Sequence, residues 1–410
     1  MSAIWIANPF DNLPAEGAKP QRYALLAREL ASRGHRVVWW TSAFSHSKKD
    51  LRRSPDGNPL PTSWTGPDGV EMRLVPAPPY RSNVGIARIR NHRVFADNLA
   101  SIAMRETETG RLPKPELIIV STPPLSTFRA AEQFRRRFGT RVAVDIMDAW
   151  PDAFASLLPL PPCIARTVVR LLLAPLLTRF RREVAMADAV TATSESYLEL
   201  ARELGATAAM AAFHHSCANV TDPPPEAADN ESNAPLRILY SGNMGSQYDL
   251  DTLVSAMEIL HRRGVRVSLE IAGSGPAEER LRRLAANVSG VSFLGFLDAA
   301  GLDAALSRAE VGIIPLLPSS AVAIPYKLPD YSSRGLAIVE CLGGETGTLV
   351  ARYKAGAHYA ARNAASLADA IAAFATDRQR LAAARRASAS MARAEFLQSE
   401  IYPAFADFLI

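Results

Sequence analysis

One pattern constrains this chain more than any other. A short apolar run, a turn and a helix with one apolar face recur along the sequence, and the cycle begins afresh half-way. Ala3–Ala7 is such a run. The polar stretch Asn8–Pro20 follows, and in Gln21–Arg33 the residues Tyr23, Leu26, Ala27, Leu30 and Ala31 fall on one helical face. Gly34 stops that helix and Val37–Thr41 reads as the next strand. Further strands are predicted at Leu117–Ser121, Arg141–Ile146 and Ala189–Thr193, with helices over Leu125–Phe138, Arg166–Ala187 and Ser196–Leu204. Around Thr221–Pro235 three consecutive prolines and a run of acids and amides have almost nothing to bury, which marks a linker. The cycle then restarts with strands at Leu236–Ser241, Val267–Ala272, Val291–Phe293, Val311–Pro315, Ala337–Val339 and Thr348–Val350. Helices are predicted over Asp249–Arg263 and Ala277–Ala286, and the tail is helical over Ser366–Ala375 and Arg378–Leu409.

Strands joined through helices run parallel, and near-continuous apolar runs signal strands covered on both faces. The expected fold class is therefore α/β, with two doubly wound domains facing across a cleft. Residues 1–220 form the first domain, 221–235 the linker and 236–390 the second domain, while 391–410 form a closing helix packed back on the first. Ligands of such sheets bind beyond the carboxyl ends of the strands.

Composition excludes several classes. With 48% apolar and 21% charged residues over 410 positions, wholesale disorder is ruled out. The longest apolar run, Val168–Leu177, is broken by Arg170 and falls short of the roughly 20 residues a spanning helix needs. Met1–Phe10 lacks a basic region, so no secretion signal is expected. Cys163, Cys217 and Cys341 have no paired spacing, which points to a reducing compartment, with neither a disulfide framework nor a zinc site. Together these place the protein in the cytoplasm. The mild net charge of +5 favours anionic partners weakly.

Four segments carry chemistry. Tyr240–Gly245 (Tyr-Ser-Gly-Asn-Met-Gly) joins a strand to a helix. Gly242 and Gly245 let backbone come close to a ligand, which suits a phosphate or simply makes a tight turn. Ile271–Pro276, with Gly273 and Gly275, is half of a dinucleotide fingerprint. In Pro325–Gly335, Lys327 and Asp330 are three apart and share a helical face. A cation at a helix start is misplaced electrostatically unless an anion lies there, so Lys327 is a phosphate-ligand candidate and Asp330 a ribose-hydroxyl acceptor; the alternative is a plain surface ion pair. In the first half, Asp145, Asp148 and Asp152 cluster at a strand end beside Trp150, placed for hydroxyl binding or general-base work, or for capping. Asp249 and Asp251 fall at a helix start and read as capping residues rather than metal ligands. His214 and His215 are adjacent, share no helix face and read as structural or cleft-lining residues.

The ordered set of pieces resembles the retaining glycosyltransferases of family 4, whose two Rossmann-like halves form the GT-B architecture. The likeness is nearest to bacterial enzymes of surface-polysaccharide assembly. It rests on Gly17–Arg22, Ser121-Thr122-Pro123-Pro124, Asp145–Asp152, Ala187–Val190, Tyr240–Leu253, Ile271–Pro276, Phe293–Phe296 and Ala323–Gly335. The resemblance implies transfer of a sugar from a nucleotide-sugar with retention at the anomeric carbon, without metal or cofactor. It places Gly17, Gly242, Asn243, Gly245, Gly273, Gly275, Phe296, Pro325, Lys327 and Asp330 on the donor side, and Lys19, Arg22, Asp145, Asp148 and Trp150 on the acceptor side. Asp148 and Lys327 would be the catalytic pair. Two departures stand out. Val322 occupies the place of the first of two acids that the family usually separates by seven other residues, Asp330 being the second, and Asn243–Tyr248 lacks the family's Arg and Lys, so Arg334, Lys19 or Arg22 could assist Lys327.

Arg166–Arg182 carries five arginines and no acid between apolar residues, which reads as a dock for an anionic membrane surface or as a core-facing helix with a solvated basic edge. A dock would make the enzyme peripheral on the inner face of the cell membrane, with a glycan or lipid-linked acceptor; no nucleic-acid partner is expected. Tyr80–Met104, with Arg81, Arg88, Arg90, His92 and Arg93, reads as an acceptor loop running into a helix. The alternatives are a sugar-nucleotide epimerase or hydrolase, and an inactive binding protein of the same fold.

Overall fold

The computed structural model describes residues 2–82, 85–158, 160–223 and 234–410. Residues 224–233 of the expected linker, and 83–84 of the expected acceptor loop, lie outside the described residues. The chain divides into two units, Met1–Phe213 with Glu400–Ile410, and His214–Ser399.

The first unit contains β1 (Ala3–Ala7), β2 (Arg36–Ser42), β3 (Phe44–Ser45), β4 (Asp50–Leu51), β5 (Ser63–Thr65), β6 (Glu71–Val75), β7 (Leu117–Thr122), β8 (Arg141–Ile146), β9 (Ala189–Ala192) and β10 (Ala209–Ala212). Eight of these form one sheet in the order β10-β9-β8-β7-β1-β2-β6-β5, parallel except at the β5–β6 edge. Its helices are α1 (Arg22–Ser32), α2 (Ile86–Glu108), α3 (Phe128–Phe138), α4 (Pro162–Leu172), α5 (Ala174–Met186) and α6 (Glu195–Glu203). Every residue of β1 and β7 is buried, which is why Ala3–Ala7 and Leu117–Val120 are continuous apolar runs rather than alternating ones. Ile4, Ile6, Leu26, Leu30 and Trp39 pack in one core with Tyr402, Phe405 and Leu409 of the closing helix, where Phe405 stacks on Phe213 with centroids 4.4 Å apart.

The second unit has one all-parallel sheet in the order β13-β12-β11-β14-β15-β16, built from β11 (Leu236–Ser241), β12 (Val267–Ala272), β13 (Val291–Gly295), β14 (Val311–Ile314), β15 (Ala337–Glu340) and β16 (Gly356–His358). Its helices are α7 (Leu250–Arg262), α8 (Glu278–Ala285), α9 (Ala299–Arg308), α10 (Lys327–Ser332), α11 (Gly344–Tyr353), α12 (Ala364–Thr376) and α13 (Arg378–Glu395); α14 (Gln398–Leu409) closes the chain. Strand order reverses between β11 and β14, so the loops leaving those two strands flank the crevice where a doubly wound sheet takes its ligand.

Three elements differ from the sequence expectation. The helix expected over Arg166–Ala187 is two helices, because Pro175 in the first turn of α5 has no N–H to continue the ladder. Thr348–Val350 is not a strand but part of α11, where Thr346, Leu349 and Val350 are buried at helical spacing; the edge strand is β16 instead. The helix expected over Arg378–Leu409 is likewise two, α13 and α14. Among the described residues no helix is long and apolar enough to cross a membrane.

Candidate functional site

In the second unit, the loops after β11, β12 and β13 are tied to one another by backbone alone. Gly242 N–H donates to Ala272 O at 2.9 Å, Met244 N–H to Ser274 O at 3.0 Å, and Gly273 N–H to Gly295 O at 2.6 Å. The contact is too close for side chains. A Cβ on Gly273 would lie 2.0 Å from the Gly242 carbonyl oxygen, and one on Gly275 2.7 Å from Met244 N. With φ of 121° at Gly273, this is a place only glycine fills. The glycine turns read from the sequence thus form one backbone-lined floor.

Lys327 reaches over that floor. A Cβ on Gly242 would sit 2.5 Å from its Nζ. The ammonium lies 4.5 Å from the Tyr248 ring centroid and 5.3 Å from that of Tyr240, and donates to Tyr248 Oη at 3.4 Å. Tyr331, in the helix that Lys327 begins, accepts from Ser241 N–H at 2.8 Å through its hydroxyl oxygen and so pins α10 to the end of β11. Burial pushes the Lys327 ammonium down to about 8, against the pull of Asp330. A desolvated cation above a glycine turn and between ring faces is suited to a phosphate, which would restore its charge. The tyrosines carry no spacing signal in the sequence; they are recognised only once Tyr240 and Tyr248 meet across the turn.

The remaining donor-side residues are placed as follows. Pro325 is buried and its carbonyl accepts Leu328 N–H at 3.0 Å; Asp330 is half-buried on α10. Asn243 is exposed, its carbonyl accepting the Tyr240 hydroxyl at 2.5 Å, and Gly245 follows the buried Met244. Phe296 is 82% exposed just after β13. Val322 packs against an apolar cluster around Leu316, Ile324 and Leu328, which accounts for an apolar residue at that position. Arg334, considered as a helper for Lys327, is instead engaged with Asp303 and with Thr221 Oγ1. Asp249 does not cap its helix through the side chain; its Oδ2 accepts Arg362 N–H at 2.6 Å, while Asp251 pairs with Arg280. His215 stacks on Tyr326 with centroids 3.7 Å apart, and His214 lies 4.0 Å from Glu345. Among the described residues no three metal-ligating side chains converge.

In the first unit, Arg22 and Asp145 are not open to a ligand. Arg22 donates to both carboxylate oxygens of Asp145, at 2.8 and 2.7 Å, with both side chains at most 1% exposed. Tyr23 Oη and Thr191 Oγ1 complete the carboxylate's shell at 2.6 Å each, and Arg22 lies 4.5 Å from the Phe405 ring centroid. This pair ties α1 to β8 and to the closing helix; the acceptor-side roles expected for it are displaced by an internal one. Gly17 closes the short turn Pro14–Glu16 in the left-handed region, and Lys19 is exposed two residues later. Asp148 is half-buried beyond β8, accepts Ala149 N–H at 2.8 Å, and burial pushes its carboxyl up to about 6. Trp150 packs on Phe154 at 4.8 Å, and Asp152 is engaged with Arg166 and Arg170.

Comparison with known proteins adds the following. Residues 235–377 match the family described as "Glycosyl transferases group 1", and residues 20–215 match the "Glycosyl transferase 4-like domain". Among curated proteins none matches in sequence. Sucrose-phosphate synthase from Thermosynechococcus elongatus superposes with a TM-score of 0.72 at 16% identity, covering 99% of this chain and 98% of its own. HepE from Anabaena, in complex with UDP-glucose, gives 0.63 at 12% identity, covering 100% and 99%. WaaG, a glycosyltransferase involved in lipopolysaccharide biosynthesis, gives 0.60 at 12% identity, covering 99% of each. At these identities the likeness concerns the fold.

Proposed function

The chain is a GT4-type glycosyltransferase of the GT-B fold, and from that premise we propose that it moves a sugar from a nucleoside-diphosphate sugar to an acceptor hydroxyl with retention, without a metal. The observation that carries this reading is Lys327 poised over the Gly242 turn. Breaking the bond between sugar and diphosphate leaves an oxocarbenium-like sugar and an anionic leaving group. Fixed donors at the phosphates stabilise that departing charge, and a fixed ammonium performs at neutral pH what a divalent ion performs elsewhere. If the acceptor hydroxyl attacks from the leaving-group face, a phosphate oxygen takes its proton and no protein base is needed. Asp148 then positions the sugar or acceptor, with proton transfer as a secondary role. The HepE relative's complexes with UDP and UDP-glucose support a nucleotide-sugar donor.

Incubation with a panel of nucleotide-sugars and lipid extracts, following free nucleoside diphosphate and product anomer, tests this. The expected result is diphosphate release coupled to a product that keeps the donor's anomeric configuration. Release without transfer would indicate a hydrolase, and neither binding nor release an inactive fold.

A lipid-linked acceptor in surface-glycan assembly, with the enzyme peripheral on an anionic membrane, belongs to the same reading. The arginines expected to supply the dock are largely engaged: Arg166 and Arg170 with Asp152 and Glu203, Arg182 with Glu132, Arg179 with Glu183. What α4 leaves outward is apolar, with Ile164, Leu171 and Leu172 between 50% and 73% exposed. Pelleting with anionic vesicles is therefore expected to respond more to Leu171→Ser/Leu172→Ser than to salt. Wild-type protein that stays in the supernatant at low salt would reject the dock.

A further inference from the structure

The two central strands of the second sheet part at the crevice, and one side chain stands in for the missing ladder. β11 pairs with β12 along all 6 of its residues, from Leu236↔Val267 to Ser241↔Ala272. With β14 it pairs only at Ile238↔Val311 and Leu239↔Gly312. Along a parallel strand alternate residues address opposite neighbours. Gly242 N–H goes to Ala272 O on the β12 side, and Arg237 O accepts Glu310 N–H at 2.8 Å on the β14 side. By that alternation Ser241 N–H faces β14. It donates instead to the Tyr331 hydroxyl oxygen at 2.8 Å, and the Ser241 hydroxyl donates to the same oxygen at 3.2 Å. Tyr331 is fully buried, and its ring lies on Gly312, the last β14 residue paired with β11. A Cβ on Gly312 would lie 2.4 and 2.6 Å from two ring atoms, so the ring fits only because that residue has no side chain. The φ of Gly312 lies outside the left-handed region, so close approach alone accounts for the glycine.

Tyr331 follows Lys327 by one helical turn, so both side chains leave the same side of α10. Lys327 lies over Gly242, and Tyr331 holds the N–H of Ser241, the residue before it. Adjacent residues at the exit of β11 are thus fastened to one short helix. A helix of 6 residues has little stability of its own, so its place is set by what it packs against. We propose that Tyr331, seated on Gly312, is a positioning residue for sugar transfer: it spaces β11 from β14 at the crevice and holds Lys327 over the Gly242 turn. The inference rests on the glycosyltransferase reading and adds to it a residue that acts through Lys327 rather than on substrate. The titratable groups facing the ammonium do not blur its titration. Burial raises the hydroxyls of Tyr240, Tyr248 and Tyr331, which stay protonated where Lys327 titrates, and Asp330 is the carboxylate that acts on it.

The test titrates the full chain with UDP, GDP and ADP across neutral and alkaline pH, and follows the tightest of the three. Wild-type affinity should fall as pH rises through about 8. Tyr331→Phe removes a single oxygen and should weaken binding at neutral pH about tenfold. It should also move the alkaline limb upward, because a lysine released toward water regains its ordinary, higher value. A loss of stability alone would leave that limb where it is. Lys327→Ala/Tyr331→Phe should bind much as Lys327→Ala does. Gly312→Ala presses on the ring while keeping the hydroxyl; it should repeat both effects and carries the test if Tyr331→Phe does not fold. In wild type the Ser241 amide should exchange as slowly as the ladder amides of β11. Exchange at the rate of an unprotected amide, wild-type affinity in Tyr331→Phe, or an affinity loss with the limb still near 8 would each overturn the proposal. In those cases lost binding in Lys327→Ala leaves the donor reading standing. A wild type that binds none of the three nucleotides strikes that reading, and the proposal with it.

Discussion

Arg22→Met is expected to destabilise the first unit by about 3–5 kcal/mol, the cost of leaving one member of a buried ion pair without its partner. Asp145 is fully buried, and the Arg22 guanidinium holds its carboxyl below the usual range against the opposing effect of burial. Removing Arg22 reverses the balance. Burial then raises the carboxyl above its unfolded value, so the folded state prefers it protonated, and the penalty grows as pH rises above about 4. Denaturant unfolding of wild type and Arg22→Met should accordingly converge toward acid and diverge toward neutral pH. The paired replacement Arg22→Met/Asp145→Leu should recover much of the loss, since an apolar pair of similar volume roughly matches a buried ion pair. Equal stability of Arg22→Met and wild type at pH 7 would show that the pair contributes little. A uniform loss at every pH would show that packing on Phe405, not the charge, is what Arg22 supplies.

The parts of the fold that could be read from sequence are those encoded locally. Strands such as β1 and the Leu117–Val120 stretch of β7 are apolar runs because both their faces are covered, and the glycine turns after β11 and β12 occur where backbone meets backbone. What escaped was encoded by distance or by small local competition. Arg22 and Asp145 stand 123 positions apart, and no spacing rule links them. Thr-Leu-Val at 348–350 has the composition of a strand, but three residues are too few to reveal the helical burial that Thr346, Leu349 and Val350 show together. Lys327 was legible as a misplaced cation, while the tyrosines that frame it were not, because Tyr240 at the end of β11 and Tyr248 in the loop after it lie about 80 positions or more from Lys327. The packing of Lys49 on His46 and Tyr80, and of Arg88 on His92, was half-legible. Arg88 and His92 lie in a visibly basic stretch, but His46 and Lys49 arrive from the β3–β4 ribbon.

Lys327→Ala is expected to weaken binding of a nucleoside diphosphate by about 1.5–3 kcal/mol, roughly tenfold to a hundredfold, with little change in unfolding. The ammonium donates to Tyr248 but lies over ring faces rather than within the apolar core, so its removal leaves little unsatisfied. The pH dependence separates a charge role from a packing role. In the unliganded wild type the ammonium titrates near 8, and a bound phosphate favours its charged form, so affinity should fall as pH rises through about 8. Above pH 7 the diphosphate's own charge is essentially complete and adds no slope there. Lys327→Ala should lack this alkaline limb altogether. Gly242→Ala offers an independent route to the same end. Its Cβ would press on Nζ and Cε, at 2.5 and 2.9 Å, which are the mobile end of a side chain and can swing away. At φ 141° the backbone is one an L-residue rarely adopts, so this variant is strained there as well, and the lysine is displaced from the turn. Gly242→Ala should therefore mimic the affinity loss of Lys327→Ala, and combining the two should add little beyond the single changes. Full additivity, or a Lys327→Ala protein that keeps wild-type affinity at pH 7, would mean that the diphosphate lies elsewhere.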